Sequence, residues 1–211
     1  RTADYPGKQK TLNYIQQLLE AEADQIVVQP FQAHGLSGNN LWASFYAAES
    51  NQKNHPRIML AAHWDTRPIA ERDKLPGKRS EPVIGANDGA SGVAVLLEIA
   101  RLLSSQRAPV TVDLVFFDLE DMGNIDGLPF SIGATEFVRK NAFYRPTAGV
   151  VVDMVCDRDL AIPQERFSRE GAADLQDQIW RIAQSQGAKA FKDRKGTYIE
   201  DDHLPFLRAG L

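Results

Sequence analysis

Strand-like apolar runs alternate with segments of helical hydrophobic spacing along most of this 211-residue chain. Residues 11–23 carry Leu12, Ile15, Leu18 and Leu19 at helical spacing, which predicts an amphipathic helix packed by one face on a sheet. Further helices are predicted over 91–103, 132–140 and 172–186. The predicted strands, rich in β-branched and aromatic residues, are 26–31, 40–47, 57–62, 110–117 and 148–152.

This alternation predicts the α/β class, as a three-layer sandwich with a mixed, mostly parallel central sheet and helices on both faces. Because only the turn at 34–38 joins the first two strands, that edge of the sheet is expected to be antiparallel. The charged, proline-rich stretch 66–83 and the polar stretch 156–171 lack periodicity, and both are predicted to be irregular. Residues 1–211 are expected to form one domain, since a chain of this length can bury one full core.

Acidic residues and a histidine follow directly on three predicted strands. The groups are His63 after 57–62, Asp118, Glu120 and Asp121 after 110–117, and Asp153 after 148–152. Asp88 precedes a predicted helix, and the pair Asp201 and Asp202 lies near the end of the sequence. In open α/β sheets the chemistry sits at the carboxyl ends of the strands, so we expect these side chains to converge there.

Composition narrows the function classes. The net charge of −4 is spread without long runs of one sign, so a nucleic-acid partner is not expected. No apolar stretch reaches the 18 or more residues of a membrane span. Cys156 is the single cysteine, which excludes an intrachain disulfide and a cysteine-based metal cluster.

Each acid taken alone has an ordinary structural explanation. Asp88 could cap a helix, Asp153 could accept hydrogen bonds from loop amides, and His63 could be a core histidine. Their joint occurrence favours a metal, because crowded carboxylates repel one another unless a cation or a raised pKa relieves them. Imidazole nitrogen and carboxylate oxygen are the ligands that catalytic zinc takes, usually three with one position open.

Glu120 and Asp121 are the sharper signal. Neighbours in a strand point to opposite sides, but at a turn both can reach one cavity. One of them could then hold a metal while the other stays free as general base and general acid.

Five segments, in order along nearly the whole chain, resemble the zinc-dependent glutaminyl cyclases (glutaminyl-peptide cyclotransferases) of the zinc aminopeptidase clan. They are HWD at 63–65, GANDGASG at 85–92, FFDLED at 116–121, VVDM at 151–154 and EDDHLPFL at 200–207. The motifs AHWD and GANDGASG are most similar to those of bacterial members.

The resemblance implies a phosphorylase/hydrolase-like (zinc exopeptidase) fold and one zinc ion per chain, held by Asp88, Asp121 and a histidine near the C-terminus. It implies that Glu120 is the proton shuttle, and that Asp153 and Asp202 hydrogen-bond each other and the substrate. The expected reaction converts the N-terminal glutamine of peptides or proteins to pyroglutamate and releases ammonia. A monomer in a secreted or periplasmic location is also expected from the resemblance.

One departure concerns the third ligand. In the family that histidine follows the DDH segment in a Trp-His-Thr context beyond one more strand, whereas this sequence stops at Leu211. We therefore expect the chain to lack the C-terminal strand, the helix and the last metal ligand. His203 does not match a ligand position, and a structural role is expected for it.

Two rival functions stay open. In the two-zinc aminopeptidases of the same clan, His63 and Asp153 would hold a second zinc, Asp88 would bridge both ions and Glu120 would be the base. Asp202 favours the cyclase, because aminopeptidases usually carry a small hydroxyl residue before that histidine. The other rival is a catalytically silent binding domain, against which the intact Glu120 argues.

Overall fold

The structure is a computed structural model that describes residues 6–48 and 56–211. Its helices are α1 (Pro6–Glu20), α2 (Ala90–Ser105), α3 (Ile132–Lys140), α4 (Arg166–Gly171), α5 (Ala173–Ser185) and α6 (His203–Arg208). Its strands are β1 (Gln25–Ala33), β2 (Leu36–Phe45), β3 (Arg57–His63), β4 (Thr111–Phe117), β5 (Ala148–Val151), β6 (Ile162–Gln164) and β7 (Phe191–Lys195).

The main sheet has the strand order β1-β2-β4-β3-β5. The hairpin β1–β2 and the pair β2–β4 are antiparallel, while β3 pairs in parallel with both β4 and β5. Four of the five strands therefore point the same way, with β2 reversed. The mixed, mostly parallel sheet and the antiparallel edge predicted from sequence are both confirmed.

Alternate residues of β4 serve two cores, because successive side chains of a strand point to opposite faces. Leu114 and Phe116 pack with apolar residues of α1 and α2 on one face. Val115 and Phe117 pack with Phe137 of α3 and with α6 on the other face. All seven residues of β4 are buried, so this central strand anchors both cores of the three-layer sandwich.

The region between β5 and α6 departs from the sequence prediction. The stretch 156–171, predicted to be irregular, contains β6 and α4, and β6 pairs in parallel with β7 in a separate two-stranded sheet. These elements are short and lack a repeating apolar face, so tertiary contacts hold them. In the part of the chain that the structure describes, no helix is long and apolar enough to cross a bilayer.

Candidate metal centre and active site

Three parallel strands end at the same level of the sheet. His63 of β3 lies opposite Phe117 of β4, and Ala61 of β3 pairs with Val151 of β5. Continuing the second register by two residues brings Asp153 level with His63. The turn after β4 therefore opens beside His63 and Asp153, as the strand-end pattern predicted.

His63 is the centre of the acidic cluster. Its Nε2 atom lies 3.0 Å from Asp88 Oδ1 and 3.2 Å from Asp153 Oδ1. On the other side of the ring, Nδ1 lies 3.4 Å from Asp65 Oδ1, an ion-pair distance without hydrogen-bond geometry. Burial lowers the pKa of His63, but the carboxylates of Asp153, Asp65 and Asp88 outweigh burial and raise it well above its ordinary value.

The start of α2 brings Asp88 to this histidine. Gly89 has φ +82°, and a Cβ atom there would lie 2.9 Å from His63 Cε1 and 2.8 Å from the Asp65 carbonyl oxygen. Only glycine permits both that backbone conformation and so close an approach. Gly89 is the residue at the N-cap position of α2, and Asp88 points its carboxylate at His63 instead of capping the helix.

The turn after β4 carries Glu120 and Asp121, both buried. Leu119 has a positive φ of 58°, which turns the chain out of the strand. The Asp65 carboxylate then accepts hydrogen bonds from the backbone N–H groups of Glu120 at 3.0 Å and Asp121 at 3.1 Å. Asp65 thus ties this turn to the end of β3, a role that the sequence analysis did not foresee.

Asp118, the first acid after β4, has a structural role. Its carboxylate accepts hydrogen bonds from the backbone N–H of Asn39 at 2.7 Å and of Leu119 at 2.9 Å, and it pairs with Lys8 Nζ at 2.9 Å. Burial and the neighbouring Asp65 charge raise the pKa of Asp118 to about 6, against the effect of Lys8. Asp118 therefore stabilises the turn after β4 through these hydrogen bonds and the Lys8 ion pair.

Burial and crowding raise the pKa of both acids in the turn. Burial, followed by the charge of Asp202, raises the pKa of Glu120 to about 10. Burial raises the pKa of Asp121 to about 6; Arg67 opposes this rise, and the Asp88 charge adds to it.

The adjacent residues Asp201 and Asp202 differ in burial, which the sequence analysis did not predict. Asp202 is fully buried at the start of α6, and neither of its carboxylate oxygens has a hydrogen-bond partner. The expected hydrogen bond between Asp202 and Asp153 is therefore not formed. Burial, followed by the charge of Asp153, raises the pKa of Asp201 to about 6.

The residues present fit a metal ion. Among the described residues, His63, Asp88 and Asp153 form a group whose potential ligand atoms all lie within 4.8 Å of one another. Two ligands about 2.0–2.2 Å from a tetrahedral zinc lie roughly 3.3–3.6 Å apart, so the distances of 3.0 and 3.2 Å need only a small expansion. Asp121 is outside this group, but its Oδ2 atom is buried without a partner, which is costly unless a cation or proton occupies it.

Comparison with known proteins decides the family. The sequence profile of peptidase family M28 matches residues 45–211. The chain belongs to peptidase family M28. Metal-dependent chemistry at the strand ends of an exopeptidase-like α/β fold is consistent with the fold and the acid cluster described above.

Solved M28-like structures resemble this chain over nearly its full length. A leucine aminopeptidase precursor from Bacteroides thetaiotaomicron is 32% identical with a TM-score of 0.89, covering 99% of this chain and 76% of that chain. A glutaminyl cyclase from the same organism, bound to N-acetylhistamine, is also 32% identical with a TM-score of 0.89, covering 99% of this chain and 75% of that chain. The exopeptidase-like α/β fold expected from the resemblance is confirmed.

Curated relatives include glutaminyl-peptide cyclotransferases. The Drosophila melanogaster protein of that name is 26% identical over 233 aligned residues, which cover 94% of this chain and 61% of that protein. The chain spans between about a third and two thirds of the length of the curated relatives it matches. The expected similarity of this M28 chain to glutaminyl cyclases is thus confirmed.

His203 and Cys156 lie outside the acid cluster. His203 begins α6, and its Nε2 atom lies 3.3 Å from Glu165 Oε2. Cys156 is exposed, and its backbone N–H donates to Asn87 Oδ1 at 2.8 Å. The structural role expected for His203 stays a prediction.

Proposed function

We propose that this M28 chain is the catalytic part of a glutaminyl-peptide cyclotransferase, acting on peptides or proteins with an N-terminal glutamine. The main support is the buried Glu120, which lies one residue from Asp121 at the rim where His63, Asp88 and Asp153 converge. Similarity over 99% of the chain to a bacterial glutaminyl cyclase supports the same assignment.

The proposed reaction forms a bond between the α-amine nitrogen and the side-chain carbonyl carbon of glutamine, and breaks the bond from that carbon to the amide nitrogen. Because the substrate supplies its own nucleophile, no serine or cysteine nucleophile is needed. Holding the amine against the carboxamide makes ring closure a positioned step, from which much of the acceleration should come.

Glu120 is the proposed proton shuttle. It would accept a proton from the α-amine and deliver it to the departing ammonia. Asp153 and Asp202 are the acids that the resemblance assigns to hydrogen bonding with the substrate. Asp202 would remain a buried neutral acid beside Glu120, since burial and the Asp201 charge raise its pKa well above the ordinary value.

The proposed cofactor is one zinc ion, held by Asp88, by Asp121 and by the further histidine that the resemblance implies. When bound, zinc would polarise the γ-carbonyl oxygen of glutamine and lower the pKa of the surrounding carboxyl groups. With a single ion, His63 would remain a charged hydrogen-bond partner of Asp88 and Asp153. We also propose a monomer and a secreted or periplasmic location, both supported by the family resemblance alone.

A two-zinc aminopeptidase is the second candidate function. The specific observation in its favour is the compact group of His63, Asp88 and Asp153, the three residues that would hold a second ion. The leucine aminopeptidase precursor at a TM-score of 0.89 adds to that support.

The deciding experiment incubates the full-length protein with zinc and a peptide that begins with glutamine, followed by mass spectrometry and metal analysis. The cyclase predicts loss of ammonia from an otherwise intact peptide, at one zinc per chain. Glu120→Gln should lower that rate by about 10²–10⁴-fold while zinc binding persists. Glu98→Gln, on the exposed side of α2, is the matched control and should leave the rate unchanged.

Release of the first residue, at two zinc ions per chain, would replace the cyclase with the aminopeptidase. If the protein binds zinc but forms neither product, a catalytically silent domain would be favoured.

A further inference from the structure

Arg67 lies in the loop after β3, and every N–H of its guanidinium group donates a hydrogen bond. Its Nη1 atom donates to Asp121 Oδ1 at 2.8 Å and to the Asp121 carbonyl oxygen at 3.3 Å, and Nη2 donates to the Gly123 carbonyl oxygen at 3.0 Å. Nε and Nη2 also donate to the two carboxylate oxygens of Glu71, at 2.9 and 2.6 Å. The Phe130 ring lies across one face, with its centroid 6.0 Å from the guanidinium carbon. The side chain is 14% exposed.

These contacts leave Asp121 a single free oxygen. Oδ1 is taken by Arg67, whereas Oδ2 is buried without a hydrogen-bond partner. The backbone N–H of Asp121 is held by Asp65 Oδ2 at 3.1 Å. The carboxylate is therefore restrained from its backbone and from Oδ1, and only Oδ2 is available to a ligand.

We propose that Arg67 is a positioning residue for Asp121, which makes that carboxylate a one-oxygen metal ligand with a preset direction. This inference rests on the proposed function, because it takes Asp121 as a metal ligand. Outer partners that orient a metal ligand typically change affinity or activity by 10–100-fold when they are removed.

The shape of arginine carries the effect, because its planar fork reaches two atoms of Asp121 and the Gly123 carbonyl from one rigid group. A lysine would keep the charge but could not make this set of contacts together. The positive charge of Arg67 itself would repel a cation. However, Glu71 pairs with the Nε and Nη2 edge of the guanidinium, so its negative charge offsets the positive charge of Arg67.

The test measures the zinc dissociation constant of the full-length protein by competition with a chromophoric chelator, together with the visible spectrum of the cobalt(II) form. Arg67→Met should weaken zinc binding by about 10–100-fold, and Arg67→Lys should weaken it by at least about 10-fold. The cobalt spectrum should change in both, because the number of Asp121 oxygens on the metal would no longer be restricted to one.

Two further variants separate orientation from charge and from folding of the loop. Glu71→Gln leaves the contacts of Arg67 with Asp121 but no longer balances the Arg67 charge, so it should weaken zinc binding by less than Arg67→Met does. The double variant R67M/E71Q changes no net charge, and should bind zinc as weakly as Arg67→Met. Urea unfolding of each metal-free variant shows whether it folds. If Arg67→Met does not fold, the zinc affinity of Arg67→Lys tests the proposal.

Wild-type zinc affinity and an unchanged cobalt spectrum in Arg67→Lys would overturn the proposal. Equal weakening by Glu71→Gln would also overturn it, because charge or loop folding, and not the contacts of Arg67 with Asp121, would then explain the effect. Weakened zinc binding in a protein that forms no pyroglutamate would refute the cyclase function and leave the role of Arg67 standing. Normal zinc binding by the Arg67 variants of an active cyclase would refute only the role of Arg67.

Discussion

Asp113, in the middle of β4, should matter for stability and not for metal binding. Its side chain is fully buried and accepts five hydrogen bonds. The donors are Trp42 Nε1 at 3.0 Å, Ser44 Oγ at 2.7 Å, Tyr144 O–H at 2.9 Å, and Arg57 Nε and Nη2 at 2.8 and 2.6 Å. Because these donors come from β2, from β3 and from the segment before β5, one carboxylate links three neighbouring parts of the sheet.

The substitution Asp113→Ala removes one partner of a buried ion pair, which typically costs about 3–5 kcal/mol. The Arg57 side chain is 30% exposed and can turn partly to water, which reduces that loss. The buried donors of Ser44 and Tyr144 lose their acceptor as well, at about 1–3 kcal/mol for each that finds no new partner. We therefore expect a loss of about 4 kcal/mol, a large fraction of the 5–15 kcal/mol that is usual for a domain.

The assay is urea unfolding of the metal-free protein, followed by tryptophan fluorescence. Asp113→Ala should lower the midpoint at an unchanged slope, and Asp113→Asn, which keeps the size but not the charge, should fall between it and the wild type. Glu98→Ala, which breaks an exposed ion pair with Arg101 on α2, should have no measurable effect. A loss below about 1 kcal/mol for Asp113→Ala would refute the reasoning, as would a tenfold loss of zinc affinity in the folded variant.

Three further predictions concern the rim of the sheet. Asp88→Ala should abolish metal binding by calorimetry while the urea midpoint falls little, because a half-exposed rim ligand is not part of the core; global unfolding would contradict its placement. Gly89→Ala should destabilise the protein by about 1–3 kcal/mol and weaken zinc binding, because its φ is positive and its Cβ would meet the end of β3. Gly77→Ala, which has open space around its Cβ, is the matched control and should change neither quantity. Asp118 has a folded-state pKa raised to about 6, so the stability that it contributes is present in acid and is lost as pH rises toward 6. Asp118→Asn should therefore flatten the pH dependence of the metal-free protein between about pH 4 and pH 7, and an unchanged profile would show that Asp118 does not titrate in that range.

The elements with strong periodic patterns were predictable from sequence. The predicted helix 132–140 matches α3 at both ends, and the strand predicted at 57–62 matches β3 within one residue. In contrast, β6 and α4 were missed, because a three-residue strand and a six-residue helix carry no pattern long enough to read. The N-cap of α4 is Glu165, which accepts from the backbone N–H groups of Phe167 and Ser168 and is not among the residues that usually signal a helix start.

The candidate site was predictable in part. His63, Asp88, Asp121 and Asp153 were singled out because each stands at the end of a strand or the start of a helix. Asp65 and Arg67 were missed as contributors, because their roles consist of hydrogen bonds to residues more than 50 positions away in the sequence. The difference between Asp201 and Asp202 also required coordinates, since two adjacent aspartates give the same signal in a sequence.

The sequence by itself determined the α/β class, the strands that end in acids and the membership of a metal-dependent lineage, because hydrophobic period and local residue order carry that information. The tertiary structure alone decided which carboxylates lie next to His63, which oxygen of Asp121 has no hydrogen-bond partner, and that Asp202 is fully buried. Those outcomes depend on strand register, on a helix start placed to within one residue and on burial. Each of these is set by packing between segments that are distant in the chain.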